Sequence, residues 1–64
     1  MKKVKIKDLA SWHIFYWWSR IQNNPLYIVA RGEQDKDVLY ISTKEDENDK
    51  EKCETIFEED VEYI

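Results

Sequence analysis

One cysteine, one glycine, one proline and one histidine stand in this chain of 64 residues, and each scarcity removes a class of chemistry. Cys53 alone cannot close an internal disulfide, so the fold has no covalent staple and a reducing, cytoplasmic setting is expected. The same count excludes the cysteine-rich zinc sites. A single glycine, Gly32, leaves no material for a glycine-rich phosphate loop. His13, the only imidazole, lies among aromatics, where a packed ring is expected rather than a general base. Cys53 sits between Lys52 and Glu54, an acidic setting that disfavours the thiolate and with it nucleophilic reactivity. Long apolar runs are missing too. The densest cluster, Trp12 to Trp18, is too short to span a bilayer. The opening Met-Lys-Lys continues into alternating Val, Lys, Ile and Lys, unlike a signal peptide. These absences predict a protein that is not an enzyme, takes no cofactor or metal and does not enter a membrane.

A chain of 64 residues is one domain, 1–64, near the lower limit at which an apolar core holds a fold unaided. Help from a partner or from a homodimer is compatible with that size. The net charge of −4 conceals a split. Residues 1–31 carry six basic groups against Asp8 alone, whereas residues 32–64 carry four lysines against thirteen acids. Such asymmetry speaks to partners and association rather than to fold.

The alternation from Lys3 to Lys7 predicts a half-buried strand, with Val4 and Ile6 on one face. Asp8 or Ser11 then caps a helix running toward Gln22 and stopping before Pro25. The aromatic run His13 to Ser19 suits a strand nearly as well. Leu26–Arg31 and Val38–Thr43 are β-branched and aromatic, and the polar stretch around Gly32 joins them as an antiparallel hairpin. A second helix is expected from Lys44 to Glu58, with Cys53, Ile56 and Phe57 inward, and a last strand from Val61 to Ile64. The predicted class is therefore α+β, in the β-α-β-β-α-β order of ferredoxin-like folds. The alternative is a short antiparallel sheet packed by one or two helices.

The acidic segment 45–62 is the most informative feature. Ten carboxylates stand there against two lysines: Glu45, Asp46, Glu47, Asp49, Glu51, Glu54, Glu58, Glu59, Asp60 and Glu62. On a helix they would recur about every 2.7 Å of axis, between the ~1.7 Å charge spacing of duplex DNA and the ~3.4 Å of one strand. Glu47 and Glu51, Glu54 and Glu58, and Glu58 and Glu62 are like charges at i,i+4, a repulsion that a cationic partner would relieve. The acids lack the Asp-x-Asp-x-Asp-Gly frame of a calcium loop. The expected partner is a cationic DNA-binding protein whose DNA surface the acids occupy, with Trp17 and Trp18 as apolar anchors beside them. In type, though in no family motif, the chain resembles the short acidic proteins that bacteriophages and mobile elements direct against host machinery. That resemblance implies an inhibitor acting in the host cytoplasm.

Two other features compete with this reading. The aromatic block is expected to fill a small core or to form a homodimer or partner interface, since Trp, Tyr and Arg concentrate at interface hot spots. Lys3, Lys5 and Lys7 suit an edge strand guarded against aggregation, the intramolecular complement of the acids, or a nucleic-acid-binding face that stacks bases on tyrosines. The acidic balance of the domain argues against direct nucleic-acid contact.

Overall fold

A computed structural model describes residues 2–64 and shows a sheet protein. Five strands, β1 (Lys3–Ile6), β2 (Leu26–Arg31), β3 (Val38–Ser42), β4 (Glu54–Phe57) and β5 (Val61–Tyr63), form one antiparallel sheet in the order β4-β3-β2-β1-β5. The alternation that predicts β1 is real: Val4 and Ile6 are fully buried, and Lys3 is exposed. The hairpin is also as expected, with Ile28 opposite Ile41 and Arg31 opposite Leu39. No helix among the described residues is long and apolar enough to cross a membrane.

The sheet cannot be flat. At ~4.8 Å per strand, the edges β4 and β5 of a flat five-stranded sheet would lie ~19 Å apart. Only the 3-10 turn Glu58–Asp60 joins them, and at ~2 Å per residue it covers ~8 Å. The sheet therefore curls into a small, partly open barrel. Its closing corner is tied on both sides: the Glu58 N–H donates to the Asp37 carbonyl at 2.7 Å, and the Lys7 N–H donates to that of Asp60 at 2.8 Å. Between Ile28 and Ala30 the β2–β3 register slips, and such an extra residue changes which side chains share a face. Arg31 thereby comes out on the side of Leu39 and reaches the closing corner.

Inside lie Val4, Ile6, Ala10, Leu26, Leu39, Ile41, Ile56 and Val61, with Phe15, Tyr16 and Ile28 packed against them. The core is aliphatic, and none of the three tryptophans belongs to it.

The α+β expectation is overturned, because both predicted helices are absent. From Asp8 to Gln22 the chain makes a 3-10 turn (Asp8–Ala10), a series of turns and a short π-helical turn (Trp17–Ile21). Two buried polar side chains hold this path. Ser19 Oγ accepts the Ile6 N–H at 3.0 Å, supplying the partner that β2 cannot, since β2 begins opposite Val4. His13 Nδ1 accepts the Phe15 N–H, which leaves Nε2 to donate to the Thr55 carbonyl of β4 at 3.1 Å. A regular helix with these aromatics on every side would leave one face uncovered and satisfy neither strand.

The second predicted helix, Lys44 to Glu58, is a loop, a 3-10 turn (Lys50–Lys52) and then β4. Like charges at i,i+4 disfavour the helix, and Thr55-Ile56-Phe57 takes the two-residue period of a strand instead. Ile56 is buried and Phe57 is half exposed, so only Ile56 of that pair points inward as expected. Nor is β1 an edge. It lies between β2 and β5, where Lys5 is paired opposite Glu62. The radius of gyration, 10.6 Å, equals the ~10.7 Å expected of a compact domain of this length, so the acidic third is folded in and is not a tail.

Candidate protein-interaction surface

The ten acids do not make one face. Glu45 and Asp46 are exposed on the β3–β4 connection. Glu47 turns inward along that loop, its Oε1 accepting the N–H groups of Asn48 and Asp49 at 3.1 and 3.0 Å. Asp49 caps the Lys50–Lys52 turn by accepting the Glu51 N–H at 3.0 Å. Glu51 and Glu54 are exposed, Glu58, Glu59 and Asp60 form the closing corner, and Glu62 lies on β5. Asp60 is buried.

Two arginines from the basic half meet the acids that the i,i+4 spacing would have set against each other. Arg31 grips Glu58 with two hydrogen bonds, 2.8 and 2.9 Å, and Tyr63 Oη donates to the same carboxylate. The Arg31 and Tyr63 hydrogen bonds pull the Glu58 carboxyl down to about 2, and the Arg31 guanidinium is pushed up by the same contact. Arg20 bridges Asp8 on one side, at 3.2 Å, and Glu62 on the other, at 2.7 Å. The Tyr16 hydroxyl also donates to Asp8 at 2.9 Å, and these bonds, Tyr16 first, lower the Asp8 carboxyl. The sequence dipole is thus partly folded onto itself. Neither Glu58 nor Glu62 is free for a partner, whereas Glu45, Asp46, Glu51, Glu54 and Glu59 are exposed and make no ion pair among the described residues.

Apolar surface is plentiful as well. The connection between β1 and β2 leaves Leu9, Trp12, Ile14, Trp17 and Ile21 each 59–71% exposed, and Trp18 38%. The predicted anchors Trp17 and Trp18 are therefore on the surface, within the π-helical turn and on the same element as Arg20. Trp12, a member of the aromatic block, and Phe57, expected to point inward, together line one shallow groove with Val38, Thr55 and Ile56. Phe57 continues into a neighbouring depression flanked by Asp37, Glu58 and Glu59. The alternation Thr55-Ile56-Phe57, read as a strand, would have turned Phe57 outward.

Cys53 is half buried, and Sγ donates to the Asp49 carbonyl at 3.3 Å. Burial first, and then the Glu47 and Asp49 charges, raise its thiol above the usual value, so the local field opposes thiolate formation. Compared with family models, with curated proteins and with solved structures, the chain matches none.

Proposed function

We propose that this protein is a small interaction module that inhibits or modulates a cationic, DNA-handling protein by occupying its basic surface, in the reducing cytoplasm that a lone cysteine suits. The observation that carries this reading is the presence of both exposed aromatics and unpaired acids on a domain whose core uses neither. Aromatics displayed at the surface are the residue type that anchors protein interfaces. In such a complex Trp17, Trp18 and Trp12 provide anchoring area, and the charges of Glu45, Asp46, Glu51, Glu54 and Glu59 speed arrival and select against anionic partners. The reading no longer needs a helical ladder of carboxylates imitating DNA pitch.

The test is capture from a bacterial lysate at low and high salt, using the parent protein and a variant with Glu51→Gln, Glu54→Gln and Glu59→Gln. Glu58 and Glu62 are left intact because Arg31 and Arg20 already pair with them. A DNA-handling protein should be retained at low salt, displaced by added duplex DNA and lost with the variant. Retention of nucleic acid itself, abolished by Lys3→Ala with Lys5→Ala, would establish the opposite reading, a nucleic-acid-binding module.

A further inference from the structure

We infer that the groove between Trp12 and Phe57 is a peptide-docking site, and that its occupant is an extended segment of the partner carrying a basic side chain next to an apolar one. The inference rests on the interaction reading above and names the element that the partner would supply. Three observations define the occupant.

The first is the apolar trough. Trp12 is 71% exposed and Phe57 50%, and between them lie Val38 and Thr55. Val38 and Phe57 are direct cross-strand partners, so they share a face of the sheet and offer a continuous apolar floor. Trp12 is held over it because the next residue, His13, is locked to Thr55 on the same strand. The residue after the wall is thus tied by a hydrogen bond to the strand that forms the floor.

The second is the charge at one end. Phe57 leads directly to the corner where Asp37, Glu58 and Glu59 gather. Arg31 already neutralises Glu58, but Asp37 and Glu59 make no ion pair among the described residues. The main-chain bond from Glu58 N–H to the Asp37 carbonyl keeps these carboxylates beside the aromatic ring. A guanidinium or ammonium laid on the Phe57 ring would meet the carboxylates and the π face together. An anionic or purely apolar segment would leave both acids uncompensated.

The third concerns how the segment lies. β4 is a sheet edge, which ordinarily invites an added strand. Here the outward carbonyl of Thr55 is already engaged by His13 Nε2, so a ladder along β4 would be interrupted at its centre. The ligand is held by its side chains, across the strand rather than beside it.

The experiment uses the full chain and two synthetic, capped, unstructured octapeptides, one with two arginines and two leucines among glycine and serine, the other with the arginines replaced by glutamate. Binding is followed by tryptophan fluorescence and by amide and indole NMR shifts. The arginine peptide should bind at low salt, moving the Trp12 indole and the Phe57 and Glu59 amides, and the glutamate peptide should not. Trp12→Ala and Phe57→Ala, both at exposed positions, should each weaken binding at least about tenfold with native amide spectra. Asp37→Asn with Glu59→Gln should weaken it and flatten its salt dependence, and Gln22→Ala, at an exposed position outside the groove, should leave it unchanged. Equal binding of both peptides, shifts centred away from β4, or full affinity in Trp12→Ala and Phe57→Ala would overturn the inference. The two readings fail separately. Capture of the DNA-handling protein undiminished by Trp12→Ala and Phe57→Ala sinks the groove alone, whereas groove binding of the arginine peptide without any such capture sinks the inhibitor reading alone.

Discussion

Replacing Ser19 with alanine removes a single oxygen from the centre of the molecule, and the structure sets the size of the consequence. Ser19 and Ile6 are both fully buried, and among the described residues the partner of the Ile6 N–H is Ser19 Oγ at 3.0 Å. Alanine leaves that N–H dry and unpaired. An orphaned buried donor costs ~1–3 kcal/mol, well above the net worth of an ordinary exchanged hydrogen bond. At ~2.1 cal/mol/K per residue, a chain of this length has an unfolding entropy of ~0.13 kcal/mol/K, so each kcal/mol is worth ~7 °C. Ser19→Ala should therefore melt ~7–20 °C below the parent by circular dichroism, and Ser11→Ala, at an exposed position, should stay within ~0.5 kcal/mol. Hydrogen exchange adds a local readout, because the Ile6 amide should exchange faster relative to those of Leu39 and Ile41. A variant as stable as the parent, with an equally protected Ile6 amide, would refute the view that this hydroxyl completes the β1 ladder.

Three further outcomes follow from the same contacts. The Glu58 carboxyl lies at about 2 against an ordinary 4.5, so the native state holds fewer protons than the unfolded one between those values. Its stabilisation is complete above about 4.5 and is lost as pH falls through about 2. Urea midpoints measured from pH 5 to pH 2 should decline less steeply in Glu58→Gln than in the parent, and parallel curves would contradict the Arg31 clamp. A Cβ on Gly32 would meet the Asp35 main-chain oxygen well inside van der Waals contact, so Gly32→Ala should cost ~1–3 kcal/mol by chemical denaturation, as overpacking does. Cys53, with its thiol raised by burial and by Glu47 and Asp49, should react with iodoacetamide at pH 8 at least about tenfold more slowly in the folded protein than in urea.

The parts of the fold that could be read from the chain are those whose signal is local. LYIVAR and VLYIST carry their strand character in consecutive residues, and β1 carries its burial in plain alternation. The first lost helix failed because its competitors are distant. Ser19 serves Ile6, thirteen positions away, and His13 serves Thr55, forty-two away. Neither contact leaves a mark on the neighbouring sequence. The acidic segment misled for the same reason. Its i,i+4 repulsions are genuine on paper, but they count only in a helix, and the chain avoids the helix while bringing Arg31 to Glu58 and Arg20 to Glu62. The lysine row, expected to complement the acids, makes no ion pair among the described residues; Arg31 and Arg20 make those pairs instead.

The candidate site divides along the same line. Its composition was visible: tryptophans in one block and acids in another. The joining of Trp12 to Phe57 was not, because it depends on the β1–β2 connection folding across β4. What the structure adds is a separation of roles. Among the described residues the buried core is made of eight aliphatic and small apolar side chains, and Trp12 and Trp17 stay mostly in water. Exposed aromatic surface on its own would favour self-association, since a second copy is always the nearest partner. Every copy here, however, carries a net −4, and pairing two acid-rimmed grooves would set Asp37 and Glu59 against their own kind, a juxtaposition that costs rather than gains. The same acids that deter a second copy would be compensated by a cationic surface. On the proposed reading, apolar area and charge would act together to favour a positively charged protein over a second copy of the chain.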